Sequence, residues 1–324
     1  MKDIDNFLDE KKLKKSIRRA KIKLTIKIIV ISVIVFIMGS LLNNKLSLKY
    51  SELSYEKREA IVKLTIPNGY ISESNDLLGL LGGTSFQKIS KSIAGRKIII
   101  DDSIVKFGIN GNERFSRFDR VVGSGTGNYN SDWPVNTNGY GYKKLRFFHP
   151  ELQYKDYQND LDYIDKIPDG KILEVAISFD RPYKISDLYM IQNKLSNNDI
   201  TWLWLDEFTK IKIDEFKYAI ENYDSKSAGI EEIETIGIEC YDSKTFNRND
   251  YNEKYDELIE FLDKSPYMTH KELYDEIMER GMTSADDAEI LGVVVHGTKE
   301  ELKEIVGLPI IKASSFGIIT EPVY

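Results

Sequence analysis

Cysteine, histidine and proline are scarce in this chain. Its 324 residues hold one cysteine, Cys240, so no internal disulfide can form. The three histidines, His149, His270 and His296, are scattered and lack metal-ligand spacing. His149, before Pro150 and after two phenylalanines, reads as part of a packed turn, and His296 as a strand end. Asp160, Asp162 and Asp165 lack the glycine and distal glutamate of a calcium loop and read as a solvated acidic face. Gly123, Gly125 and Gly127 alternate, but no Lys-Ser/Thr pair or helix start follows, so they read as a flexible loop. No serine, cysteine or lysine sits in a recognisable nucleophile setting. These absences give no catalytic residue, no cofactor and no metal. Only 8 prolines beside 19 tyrosines indicate folded structure and not a stalk.

Long uncharged apolar stretches are equally rare, and the single one is Ile28 to Leu42. Eleven of its fifteen residues are Ile, Val, Leu or Phe, worth about −5 kcal/mol toward membrane insertion. Ile28, Ile29, Val30, Ile31, Val33, Ile34, Val35, Phe36 and Ile37 form its centre. With its flanks it spans 24–44, about 20 residues, enough for a hydrocarbon core of about 30 Å. A cleaved signal peptide is the rival reading. The flank Met38-Gly39-Ser40-Leu41-Leu42-Asn43 is a poor cleavage site, which favours an uncleaved anchor in a lipid bilayer.

Charge gives the orientation. Residues 1–27 hold 10 of the 45 basic and 4 of the 52 acidic side chains, a net of +6, which leaves −13 for the rest. Positive charge marks the cytoplasmic side, so the expected protein is single-pass in the cell membrane, N-terminus cytoplasmic and C-terminal part extracytoplasmic. An acidic exterior argues against direct nucleic-acid binding. A cysteine-poor exterior of this size fits a bacterial envelope.

Five regions are expected: a basic amphipathic segment 1–23, a transmembrane helix 24–44, a β-rich region 45–125, a linker 126–144 and an α+β region 145–324. In the first, Ile4, Phe7 and Leu8 form one helical stripe. Leu13, Ile17, Ala20 and Leu24 form another, nearly opposite, which predicts a kink or turn near Glu10 to Lys12. From residue 45 the chain reads as mostly strand, with turns at Pro67-Asn68-Gly69 and Gly82-Gly83.

Beyond 145 two strand-helix-strand units are visible. Leu173, Val175, Ile177 and Phe179 alternate with Glu174, Ala176 and Ser178, then Leu188, Ile191 and Leu195 mark a helix, and Ile200 to Leu205 a strand. In the second unit Leu291, Val293 and Val295 make a strand, Thr298 and Glu301 a capping box, and Ile310 to Ile319 a returning strand. Between them, Asp250 and Glu253 are expected to cap one helix, and Thr269 and Glu272 another that Gly281 ends. Cys240 shares a strand face with Ile236 and Ile238 and reads as a core thiol. The two units suggest a ferredoxin-like split βαβ sheet with inserted helices.

Several stretches resemble one family. The basic run Lys11-Lys12-Leu13-Lys14-Lys15 through Arg18-Arg19, entering the apolar span, is similar to the N-terminal domain of bacterial sigma-factor regulators. So are the Gly82-Gly83 turn and Ile93-Ala94-Gly95-Arg96. Leu145 to His149-Pro150, Val175 through Tyr183, Trp202-Leu203-Trp204 and Ile311-Lys312-Ala313-Ser314-Ser315 resemble the C-terminal domain of the same proteins. The resemblance implies a membrane-anchored anti-sigma factor that restrains an extracytoplasmic-function sigma factor at the inner face while its outer domain responds to envelope stress. Many anti-sigma factors use a cytoplasmic zinc domain with His and paired Cys, yet neither residue occurs here before position 149. The sigma contact would then fall to a short helix, through Ile4, Phe7, Leu8, Leu13 and Ile17. The alternative is an envelope binding or scaffolding protein with no direct sigma partner.

Overall fold

The computed structural model describes residues 2–109, 111, 125–127, 135–195, 199–222, 229–240, 248–265 and 268–322, without the side chains of 2–9, 125–127, 135, 248–250 and 269. Its first element is a single helix, α1 (Lys2–Thr65). At 1.5 Å per residue it is about 95 Å long. No proline occurs before Pro67, and Gly39 is the only glycine within the helix. The residue before a proline is disfavoured in the α region, so Pro67 ends the helix. Asn68 then takes a left-handed φ of 58° and Gly69 N donates to Ile66 O.

Two expectations are corrected here. The expected turn at Glu10 to Lys12 is absent: the helix runs through it, bridged by Glu10 and Lys14 at 3.0 Å. The expected strand from residue 45 is helix as far as Thr65. Good helix formers fill 45–65, and Glu59 pairs with Lys63 one turn on. Tertiary packing then selects the helix, since Val62 and Ile66, spaced i and i+4, are buried side by side.

The chain divides into two compact units. The first holds Met1–Leu53, Asp76–Thr84 and Lys106–Asn112. Here the turn between β1 (Gly69–Gly79) and β2 (Gly82–Ile93) is bonded to the helix. Asn43 Nδ2 donates to Gly79 O at 3.0 Å, and Leu81 N donates to Asn43 Oδ1 at 2.7 Å. Gly82 N donates to Ser47 Oγ at 3.0 Å, and Ser51 bonds Asp76. Only glycine fits at 82 and 108: a Cβ on either would strike the backbone of the facing strand, β2 or β3 (Arg96–Gly108).

The second unit holds Ser54–Asn75, Ser85–Val105 and Glu113–Tyr324. Strands β1, β2 and β3 form a sheet in that order, with β2 and β3 joined at Ala94-Gly95, where φ is 46° and 81°. Two positive φ values make the tight primed turn that right-twisted hairpins favour. Ile71, Ile89, Ile93, Ile98 and Ile100 pack on Val62, Ile66 and Ile318. Two short pairs follow in the chain: β4 (Gly125–Gly127) with β5 (Val135–Thr137), and β6 (Arg146–Phe147) with β9 (Ile230–Glu231). The glycine-rich stretch expected as a loop therefore contains a strand pair; Gly123 lies outside the described residues.

The main sheet comprises β7 (Ile172–Lys184), β8 (Asp199–Leu205), β10 (Gly237–Glu239), β11 (Glu289–Thr298) and β12 (Ile311–Thr320). Its order is β10-β8-β11-β7-β12, and every neighbour pair is antiparallel. β7 and β8 are thus parallel with β11 between them, joined through α2 (Leu188–Lys194). β11 and β12 are likewise parallel across β7, joined through α6 (Lys299–Lys303). These are the two split βαβ units expected, with β10 added outside β8. The Thr298–Glu301 capping box forms as expected. The inserted helices are α3 (Lys210–Asn222), α4 (Arg248–Lys264) and α5 (Met268–Glu279). α4 begins two residues before the expected cap at Asp250, and Gly281 (φ 74°) follows α5 as expected.

Alternation in β7 marks two buried faces, not an inside and an outside. Leu173, Val175, Ile177 and Phe179 join one core with Tyr255, Leu258 and Leu262 of α4. Ala176 joins a second core with Leu145, Phe147, Trp202 and Trp204. Glu174 and Ser178 are fully buried with it.

Candidate functional site

Leu13 and Ile17 are exposed on α1. The side chains of Ile4, Phe7 and Leu8 lie outside the described residues. Further along, all nine residues at the centre of the apolar run, from Ile28 to Ile37, are exposed. Their positions cover every side of the helix, and no charged residue interrupts them. The helix is long and apolar enough to cross a membrane.

In the second unit the unexpected feature is a buried charge cluster. Lys91 of β2 reaches Glu174 Oε1 of β7 at 2.9 Å and Glu232 Oε2 at 2.6 Å, with all three side chains almost wholly enclosed. Ile318 N donates to Glu174 Oε2 at 3.2 Å, and Leu145 N to Glu232 Oε2 at 3.3 Å. Gly317 leaves the room, because a Cβ there would strike Glu174. Burial opposes the charge on Lys91, but the two carboxylates outweigh it and raise its pKa. Burial likewise pushes the Glu174 carboxyl up, beyond what Lys91 offsets.

His296 sits beside this cluster. Burial, with the Lys91 charge, pushes its pKa down to about 3. Its neighbours are donors: Asn68 Nδ2 lies 3.3 Å from Nε2, and Ala94 N lies 3.4 Å from Nδ1. A neutral ring can accept from one of them, as Nδ1 does from Ala94 N, whereas an imidazolium can accept from neither. His149 packs edge-on against Phe208, with its Nε2 3.8 Å from Asp206. Ser265 Oγ and His270 Nδ1 are 2.7 Å apart. Asp160 accepts from Lys143 and Phe316 N, while Asp165 pairs with Lys303, so these carboxylates face different partners. Cys240 is buried, and burial pushes its thiol pKa up, away from reactivity.

A cleft of about 270 Å³ lies between the last turns of α1, strand β10 and helix α4. Ala60, Leu64, Ile238, Leu258 and Phe261 give it an apolar floor, and Glu56, Glu59, Glu239 and Glu257 outnumber Lys63 and Lys254 on its rim. β10 is the edge strand of the main sheet. Leu205 N bonds Ile236 O, and Cys240 N bonds Thr201 O. By the antiparallel alternation, Gly237 and Glu239 turn their backbone groups away from β8. Sequence reasoning missed this cleft. Its only sequence signal is the Ile236-Ile238-Cys240 alternation, which shows a strand but not an open edge.

Comparison with known families finds two matches. The model described as sigma factor regulator N-terminal matches residues 14–98, and the one described as sigma factor regulator C-terminal matches residues 164–318. Lys91 falls in the first match, Glu174 and Glu232 in the second. No curated protein and no solved structure matches significantly.

Proposed function

The chain belongs to the sigma-factor regulator family, and on that basis we propose that it is a membrane-anchored anti-sigma factor acting by sequestration. Its family is regulatory and not catalytic. The cytoplasmic segment 1–23 holds an extracytoplasmic-function sigma factor through Ile4, Phe7, Leu8, Leu13 and Ile17. Residues 24–44 cross the bilayer with the N-terminus inside. The outer parts, 45–125 and 145–324 joined by 126–144, respond to envelope stress or to an extracytoplasmic partner.

The observation that carries this reading is the continuity of α1. One helix contains the basic segment, the apolar run and the turns that line the cleft. Whatever fills that cleft touches the same helix that carries Leu13 and Ile17.

The test is capture of the full-length chain from its native cells in detergent, beside a version lacking residues 2–22. A sigma factor enriched only with the full chain supports sequestration, and Phe7→Asp with Leu8→Asp then releases its regulon. The cleft and its open strand edge favour the second reading, an outer scaffolding protein. Under that reading both versions retain the same envelope protein and neither retains sigma.

A further inference from the structure

The end of the β1–β2 hairpin is apolar where a water-facing turn is normally polar. Leu77, Leu78 and Leu80 are 68%, 38% and 82% exposed, and Ile109, just past β3, is 64% exposed. None of the four belongs to an apolar cluster among the described residues. Leu77 and Leu78 are neighbours on a strand and so face opposite sides. Packing one face on the helix therefore does not account for both. A contiguous exposed apolar feature of this kind marks an interaction surface.

The hydrogen bonds to α1 identify what covers it. Asn43 directly follows Leu42, the last residue of the apolar run, and it grips both Gly79 O and Leu81 N. Ser47, one turn on, holds Gly82 N and lies 3.4 Å from Gly79 O. Those turns rise about 1.5 Å per residue, so the tip is fixed within roughly one helical turn of the end of the run. The headgroup region adds only about 5–8 Å on each side of the hydrocarbon core. Lys45, Lys49 and Lys106 are exposed in the same unit and supply positive charge.

We propose that the Leu77–Leu80 tip, with Ile109, inserts into the headgroup–acyl boundary of an anionic bilayer, in the leaflet that the C-terminal end of the span enters. This rests on reading α1 as membrane-spanning. The tip gives the first unit a second hold on the membrane, with leucines in the acyl boundary and lysines at the lipid phosphates.

The experiment uses the full chain in nanodiscs of phosphatidylethanolamine and phosphatidylglycerol. A cysteine is introduced by Leu80→Cys, or separately by Val35→Cys, in a Cys240→Ala background, and labelled with an environment-sensitive fluorophore. The Leu80 probe is expected to be blue-shifted and quenched by lipids brominated at a shallow acyl position, and the Val35 probe by lipids brominated deep in the acyl chain. Quenching at Val35 but water-like, unquenched emission at Leu80 overturns the proposal and leaves the anchor intact. Absence of quenching at both positions overturns the anchor reading and the proposal together. A blue shift at Leu80 without lipid quenching means that protein covers the tip, which also overturns it.

Discussion

Lys91 and Glu174 stand 83 residues apart in the chain and 2.9 Å apart in the fold, with their side chains 2% and 0% exposed. Removing one member of a buried charge cluster costs more than the cluster itself contributes. Lys91→Met leaves Glu174 and Glu232 buried against each other. We expect it to destabilise the fold by about 3–5 kcal/mol. Urea unfolding of the full chain in detergent, followed by the fluorescence of the buried Trp202 and Trp204, measures this. Unchanged stability would mean that water already reaches the carboxylates.

We expect His296 to make the fold acid-sensitive. Its folded pKa of about 3 lies well below the ordinary 6.5. Between those values the unfolded chain takes up a proton that the folded protein refuses. Its contribution is fully present above pH 6.5 and is lost as pH falls toward 3. From pH 6.5 to about pH 5 the loss is about 2 kcal/mol. Glu174 works in the opposite sense, because its raised pKa makes the folded form the better proton acceptor. Replacing the ring by His296→Gln should therefore flatten the acid limb of a stability–pH curve. An acid limb as steep in the variant as in the parent would assign the sensitivity elsewhere.

Ala94 holds a φ of 46° in the tight turn between β2 and β3. A left-handed conformation costs an L-residue about 1–2 kcal/mol, and glycine escapes that cost at some loss of chain entropy. Ala94→Gly should stabilise the fold by about 1 kcal/mol. The measurement is a thermal melt of the two proteins side by side, and a lower melting temperature in the variant refutes it.

Leu13 and Ile17 project from α1 without burial in their own chain. Under the sequestration reading, Leu13→Asp with Ile17→Asp releases sigma-dependent transcription while membrane fractionation stays unchanged. Derepression matching that of a chain lacking residues 2–22 is the expected result. An unaltered transcript profile removes these two side chains from the contact.

Locally encoded features were legible in the sequence. The Thr298–Glu301 box, the strand around Val293 and the Trp202–Trp204 strand all carry their signals within a few residues. The two strand-helix-strand units follow from those signals, whereas the strand order that places β11 between β7 and β8 comes from the fold. The helix at 45–65 was hidden because Ile61, Leu64 and Ile66 crowd a turn signal, a pattern that strands share. Nothing in the sequence around Lys91 marks it as buried. Its burial depends on Glu174 and on Glu232, 141 residues away, and no local pattern carries that information. The same holds for the cleft, whose walls come from α1, β10 and α4.

The charge cluster also orders events in time. A chain made from its N-terminus delivers Lys91 first, then Glu174, then Glu232, and Ile318, whose amide holds Glu174, near the very end. Until those later residues arrive, the strand bearing Lys91 has nowhere to bury its charge. The N-terminal sheet must therefore wait, solvated at that position, for the far end of the polypeptide. A chain cut short between Lys91 and Ile318 loses more than the missing piece, since the part already made lacks a partner for its buried charge.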